Sequence, residues 1–425
     1  MSDKPNPPAQ VDNLNTRQKL FLAPATLRIF GVAAALGTNY LIARHLTLEN
    51  IAFYYLYSTL AYFGNACFYV GLGIVLQRLC ATLASRGELH RTFLIRYLAS
   101  TLLSGTIIVT LFAVGYLLLR GGADSPWWIA FWCALLSAAN YLSSVGRDLL
   151  ALNGKLGLSS LFWLVEQLLR VCFVAFTLTH FDSGAIEVTA SVALGSLISG
   201  FAGLTVLMAV ANKSTMPPPH FTLREIASTV APVACSGLLN WVQLQSYRPA
   251  LLYFRVRPEI IGVTSLLTSL GITGANPILS VIGQSFVPRY YAGERGVLAR
   301  NAAAIVRAVV VLSIGSIPAA IVFLVVSNRQ PLLMYALLVP LGVFVEAGNS
   351  LIVANLHRQN AERKAMWIFP ASACLGVLVA AASWSTSVMR ELWFPYQIAV
   401  GMVASQAAVL GFIYFINASR RERKS

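Results

Sequence analysis

Five ionisable residues stand more than a turn inside stretches that are otherwise apolar: Arg28, Glu166, Arg170, Arg248 and Glu346. A charge at the centre of a lipid-embedded helix costs about 3 kcal/mol on insertion scales, so such residues mark ion pairs, relays or pathways. Arginine is permanently charged, and its planar fork matches a phosphate or carboxylate with two parallel hydrogen bonds. Three cations against two carboxylates leave a positive surplus. A water-filled cavity lined by that surplus attracts an anion. Arg28, Arg248 and Arg170 are therefore the candidate anion ligands. Each group also has a structural alternative. Arg28 lies about two turns into its segment, within snorkelling reach of the headgroups. Glu166 and Arg170, at i and i+4, can neutralise each other. Glu346 has no basic residue at i±3 or i±4. It either pairs with an arginine elsewhere or takes up a proton, so Glu346 and Glu166 are the candidates for ion coupling.

The elements that must hold these residues follow from composition. Of 425 residues, 57% are hydrophobic and 11% charged, against about 25% charged in a soluble domain. Such a chain cannot cover a water-facing surface, so its solvent is lipid. A spanning helix needs about 20 apolar residues. Twelve stretches qualify: 21–43, 51–76, 97–119, 127–145, 158–178, 188–211, 226–254, 260–287, 305–326, 332–356, 366–384 and 392–416. Helices are required because backbone groups in lipid must be satisfied within the segment. The predicted fold is an all-α polytopic membrane protein of about twelve transmembrane helices in two pseudo-symmetric six-helix lobes. Pro232, Pro249, Pro277, Pro318 and Pro340 fall inside the second-lobe segments and are expected to kink them.

The net charge of +15 is explained by topology. With both termini cytoplasmic, the opposite side holds only Arg44, Arg120, Arg255, Arg257, Arg329 and Arg390 of the 31 Lys and Arg. That is the positive-inside asymmetry, and it accounts for the basic excess without a nucleic-acid partner. The six cysteines are scattered with no C-x-x-C, which points to core packing rather than a disulfide or metal. There is no Gly-rich phosphate loop, H-E-x-x-H or nucleophile elbow, so neither an enzyme nor a cofactor is expected.

Two local echoes divide the chain. Shifted by 210 positions, Glu49 falls on Glu259, Ile51 on Ile261, Ala52 on Gly262 and Leu56 on Leu266. The loop 85–91 has its own echo at 294–300, shifted by 209. A duplicated unit of six segments follows. The expected organisation is a cytoplasmic N-terminal arm at 1–20, a lobe at 21–212, a cytoplasmic linker at 213–225 containing Pro217-Pro-Pro219, a second lobe at 226–416 and a basic cytoplasmic tail at 417–425. The arm lacks the apolar core of a cleavable signal.

At the two junctions the chain resembles a known family. Ala43-Arg44-His45-Leu46 resembles the Ala-Arg-x-Leu turn between segments 1 and 2 of polysaccharide repeat-unit flippases, the O-antigen type, Wzx-like branch of the MOP exporter superfamily. Arg248 with Glu259-Ile-Ile-Gly262 resembles the segment 7–8 junction of the same family. Ala52, Tyr247 and Thr264 depart from its pattern; Tyr247 stands where an acid is common, so a coupling role is not implied there. The resemblance implies a bacterial inner-membrane flippase with both termini cytoplasmic. Its substrate would be an oligosaccharide linked to undecaprenyl diphosphate, moved to the outer leaflet by alternating access driven by a proton or sodium gradient. Membrane lipids, a polysaccharide polymerase and chain-length machinery are the implied partners. A small-molecule exporter of the superfamily and a membrane enzyme acting on lipid-linked sugars are the alternatives. The first usually takes cationic substrates, which a net-positive cavity repels. The second would need a larger water-exposed catalytic loop.

Overall fold

The computed structural model describes residues 12–73, 75–76, 91–121, 125–152, 155–181, 184–210, 223–361, 366–385 and 393–422. The loop 85–90, Cys80, most of the 213–225 linker and the last three residues of the tail lie outside them. Among the described residues there is no strand.

The helices follow the hydropathy. In the first half they are α1 (Asp12–His45), α2 (Leu48–Gly64), α3 (Arg91–Arg120), α4 (Pro126–Leu152), α5 (Leu156–His180) and α6 (Ala185–Val210). A π turn, Asn65–Tyr69, continues α2. The second half holds α7 (Leu223–Leu244), α8 (Tyr247–Tyr253), α9 (Pro258–Tyr291), α10 (Val297–Val326), a 3₁₀ turn at Gln330–Tyr335, α11 (Leu338–Ala361), α12 (Ile368–Ser385) and α13 (Phe394–Glu422). Nine of the described helices are long and apolar enough to cross a membrane. The segments built from α2 with its π turn, α7 with α8, and α12 bring the bundle to about twelve crossings. Helices α1 and α9 run antiparallel; the end of the bundle at which α1 begins and α9 finishes is called the near end, and the opposite one the far end.

Several element ends differ from the sequence expectation. Helix α1 begins at Asp12, inside the stretch expected to be an arm, and α13 continues to Glu422, through most of the expected tail. The segment 226–254 is not one helix. Proline has no N–H for the carbonyl one turn back, and its ring crowds that carbonyl. The chain therefore breaks one turn before Pro249: the amides of Gln245 and Ser246 both bond to the Trp241 carbonyl, and α8 starts afresh at Tyr247. Pro340 does not kink a span either. The 3₁₀ turn absorbs 330–335, leaving Pro340 in the first turn of α11, where an N–H would have no intrahelical partner.

Within the first half α1 packs on α5, α4 on α6 and α3, and α5 on α6. In the second, α9 packs on α11 and α10, and α13 on α12 and α11. The α9–α11 contact is a close backbone approach. A Cβ on Gly271 would stand 2.0 Å from the Val339 carbonyl oxygen, and one on Gly342 2.2 Å from that of Thr268. Small residues that admit such approach are the usual glue between helices in lipid. The halves meet through α2 and α9, whose first turns, beginning at Leu48 and Pro258, sit at the repeat offset with Glu49 and Glu259. A carboxylate there complements the positive end of the helix dipole. At their crossing Gly262 lies against the Leu48 carbonyl, with room for no side chain. The apolar cluster at the far end mixes both halves: Ile42, Ala43, Leu46 and Ile51 with Leu252, Ile261 and Leu266.

Candidate functional site

The charged groups of the first half form one cluster on α4, α5 and α6. Glu166 is 2% exposed, and both its oxygens are occupied. Oε1 accepts from the Arg170 guanidinium, one turn along α5. Oε2 accepts from the Arg147 guanidinium of α4 and from Ser143 Oγ at 2.7 Å. Arg170 is held further by Ser196 Oγ of α6 at 2.8 Å from Nε and by Asn140 Oδ1 of α4 at 2.8 Å. The i, i+4 pair expected from the sequence is therefore present, but it is half of a triad. Arg147, counted from the sequence as a loop cation, is the missing member. The apolar run ends at Val145 while α4 continues to Leu152, so the helix outlasts its hydropathy. Ser143 and Arg147, four apart on one helix face, were the available signal.

Arg28 does not snorkel. It is 6% exposed and turned inward. Its Nε donates to Ser160 Oγ of α5 at 3.2 Å, and its guanidinium lies 5.5 Å from the Trp163 ring centroid, within cation–π range. The other two nitrogens cross to α9 of the second half, donating to Ser280 Oγ at 3.1 Å and Gln284 Oε1 at 3.4 Å. Arg28 also lies within electrostatic range of Arg147 and Asp148, which joins it to the α4–α5 cluster.

Arg248, also 6% exposed, occupies the break between α7 and α8. It donates from Nε to Ser265 Oγ of α9 at 2.8 Å, and from Nη1 to Thr59 Oγ1 of α2 at 2.9 Å and to Gln245 Oε1. The rings of Tyr247 and Tyr55 flank it at 4.9 and 5.4 Å. Tyr55 in turn bonds to Asn39 of α1 and Ser269 of α9. This polar knot ties α1 and α2 to the second half.

The sequence led to one cavity lined by all the arginines. The structure instead separates two stations. Ser280, reached by Arg28, and Ser265, reached by Arg248, are 15 residues apart on α9, or about 22 Å at the helical rise. Arg28 and Arg147 lie on the near side, Arg170 continues their cluster past the middle of α5, and Arg248 stands toward the far end.

Glu346 on α11 differs from Glu166. It is 7% exposed and makes no ion pair with any described residue. Asn349 and, across the boundary between the halves, Tyr62 of α2 lie within electrostatic range of its carboxylate. Near it, Gln406 of α13 packs on Gly348 and donates to Asn240 Oδ1 of α7 at 3.4 Å. No group of three or more His, Cys, Asp and Glu side chains suited to a metal occurs among the described residues.

No family model matches the sequence, and no curated protein matches it. Solved structures do match in shape. A mutant of the Vibrio cholerae MATE transporter VcmN superposes with a TM-score of 0.66 at 12% identity, covering 96% of this chain and 99% of that one. The lipid II flippase MurJ in an inward closed conformation gives 0.55 at 11% identity, over 94% and 87%. An inward-facing multidrug resistance MATE family transporter of the MOP superfamily gives 0.54 at 12% identity, over 95% and 99%. The chain therefore has the fold of MOP superfamily transporters over 94–96% of its length.

Proposed function

We propose that the chain is a flippase of the bacterial inner membrane, with both termini cytoplasmic. It moves an undecaprenyl-diphosphate-linked oligosaccharide from the cytoplasmic to the outer leaflet for surface polysaccharide biosynthesis. One observation carries the reading: a transporter bundle whose interior and margin hold Arg28, Arg147, Arg170 and Arg248 against Glu166, Glu346 and Asp148. A net-positive interior favours an anionic cargo, and guanidinium forks suit a diphosphate. Alternating access then runs in steps. The Arg28 group meets the diphosphate from the near end, the lipid tail stays in the bilayer, and the halves rock to expose the Arg248 station. Glu346, with no fixed cation beside it among the described residues, is the group that takes up a proton or sodium ion.

In a strain lacking the protein, the lipid-linked oligosaccharide should accumulate on the cytoplasmic leaflet while surface polysaccharide disappears. Wild type should reverse this. Arg248→Ala should not, despite normal expression, because the anion loses its far-end ligand. A fully active Arg248→Ala sinks the role of that residue.

A second reading, a small-molecule exporter, draws on Glu346: an unpaired interior carboxylate is a seat for a cationic compound. Normal surface glycan with altered sensitivity to small cationic compounds would favour it.

A further inference from the structure

The two halves are fastened at the far end by a residue that neither buried-charge station includes. Helix α10 ends in a Schellman motif. Asn328 takes the left-handed conformation at φ 58°, its amide bonds to the Val325 carbonyl, and the Arg329 amide bonds to the Leu324 carbonyl at 2.8 Å. Asparagine tolerates that conformation better than most residues. The motif fixes the direction in which Arg329 leaves the helix. Its half-buried side chain crosses to the first half, where Nε donates to the Ala43 carbonyl at 2.7 Å and Nη2 donates to the Leu46 carbonyl. These belong to the last turn of α1 and the residue beyond it, where helix carbonyls lack intrahelical donors and the dipole is negative. The arginine at the equivalent place in the first half is used differently. Arg120, the last residue of α3, lies over the Phe53 ring of its own half at 4.8 Å. The repeat is thus broken here: Arg329 reaches across to the other half and Arg120 does not.

We infer that Arg329 is a detachable latch on the far-end closure: its two bonds to the end of α1 must break before the halves part there. The latch has a use in transport only under the alternating-access reading above, but the experiment needs no substrate. The surface it guards is marked by Ile261, fully buried in the cluster shared with α1 and α2. In a chain whose native cysteines are replaced, Ile261→Cys is introduced and its reaction with a water-soluble maleimide is timed in nanodiscs, where both ends are accessible. With Arg329 in place, labelling is slow. Arg329→Ala should accelerate it about tenfold or more, from the loss of two charge-assisted bonds, and Arg329→Lys should fall between. Arg120→Ala should leave the rate unchanged. Unchanged labelling in Arg329→Ala overturns the latch, as does equal acceleration by Arg120→Ala or fast labelling with Arg329 intact. Should Arg329→Ala fail to fold, Arg329→Lys decides by the same rates. A strain test that fails to show lipid-linked oligosaccharide would remove the flippase reading and leave these rates standing.

Discussion

Among the described residues the bundle buries two carboxylates, one in each half, and treats them in opposite ways. Glu166 has both oxygens engaged by guanidinium or hydroxyl donors, which come from α4 and α5. Taking up a proton there would break contacts to two arginines at once. Glu346 has an amide neighbour, a tyrosine across the boundary between the halves, and no cation among the described residues. A proton or metal cation can come to Glu346 without dismantling anything. The contrast teaches that a buried acid is not by itself a coupling site. What decides is whether its charge is already compensated within its own half. Glu166 acts as a fixed counter-ion that aims Arg147 and Arg170; Glu346 is the acid left open toward the other half.

The strongest way to break this comparison is Glu166→Gln. It leaves two part-buried guanidiniums sharing a neutral amide; breaking a fully buried ion pair costs about 3 kcal/mol or more, and partial exposure of the arginines brings the cost here to about 2 kcal/mol. The purified variant should unfold at clearly lower temperature or denaturant than wild type. Wild-type stability would mean that Arg147 and Arg170 are compensated elsewhere.

A smaller effect sharpens the triad. Arg147→Gln and Arg170→Gln each remove one of the two cations on Glu166, so each should destabilise by less than Glu166→Gln. Because both act through one carboxylate, their effects should not add: a cycle with Glu166→Gln should show a coupling of about 1–3 kcal/mol for each arginine. Additivity within about 0.5 kcal/mol would mean that the shared carboxylate does not link them. Smaller still, Ser196→Ala removes one neutral acceptor from Arg170 and should cost about 1 kcal/mol, read in the same unfolding experiment. A loss as large as that of Glu166→Gln would show that α6, rather than the carboxylate, holds Arg170.

Much of this could be read from the chain. Lipid demands long apolar helices, so the spans stand out, and the Glu49 and Glu259 echo located the paired first turns of α2 and α9. Glu166 and Arg170 were visible because i, i+4 spacing is local. Arg147 was hidden because hydropathy falls at Gly146-Arg147-Asp148 although the helix goes on, and only packing of α4 on α5 brings it to Glu166. Pro249 signalled a break but not its place, since the missing hydrogen bond belongs to the carbonyl one turn earlier. The inward turn of Arg28 and the reach of Arg329 depend on partners more than 250 residues away, and no local pattern encodes them.

Glu346→Gln should show the smallest stability effect of all. The amide keeps the shape, and no described arginine loses a partner. The variant should therefore unfold within about 0.5 kcal/mol of wild type, as substitutions that break no buried network usually do. Transport should respond differently. If Glu346 is where the driving ion binds, the variant loses its response to an imposed proton or sodium gradient while remaining folded. Glu166→Asp, which retains the charge on a shorter arm, should keep that response at reduced stability. A Glu346→Gln protein that still follows the gradient, or one destabilised as much as Glu166→Gln, would erase the distinction between the two acids. Loss of the gradient response with stability intact would place the exchangeable charge in the second half and the fixed one in the first.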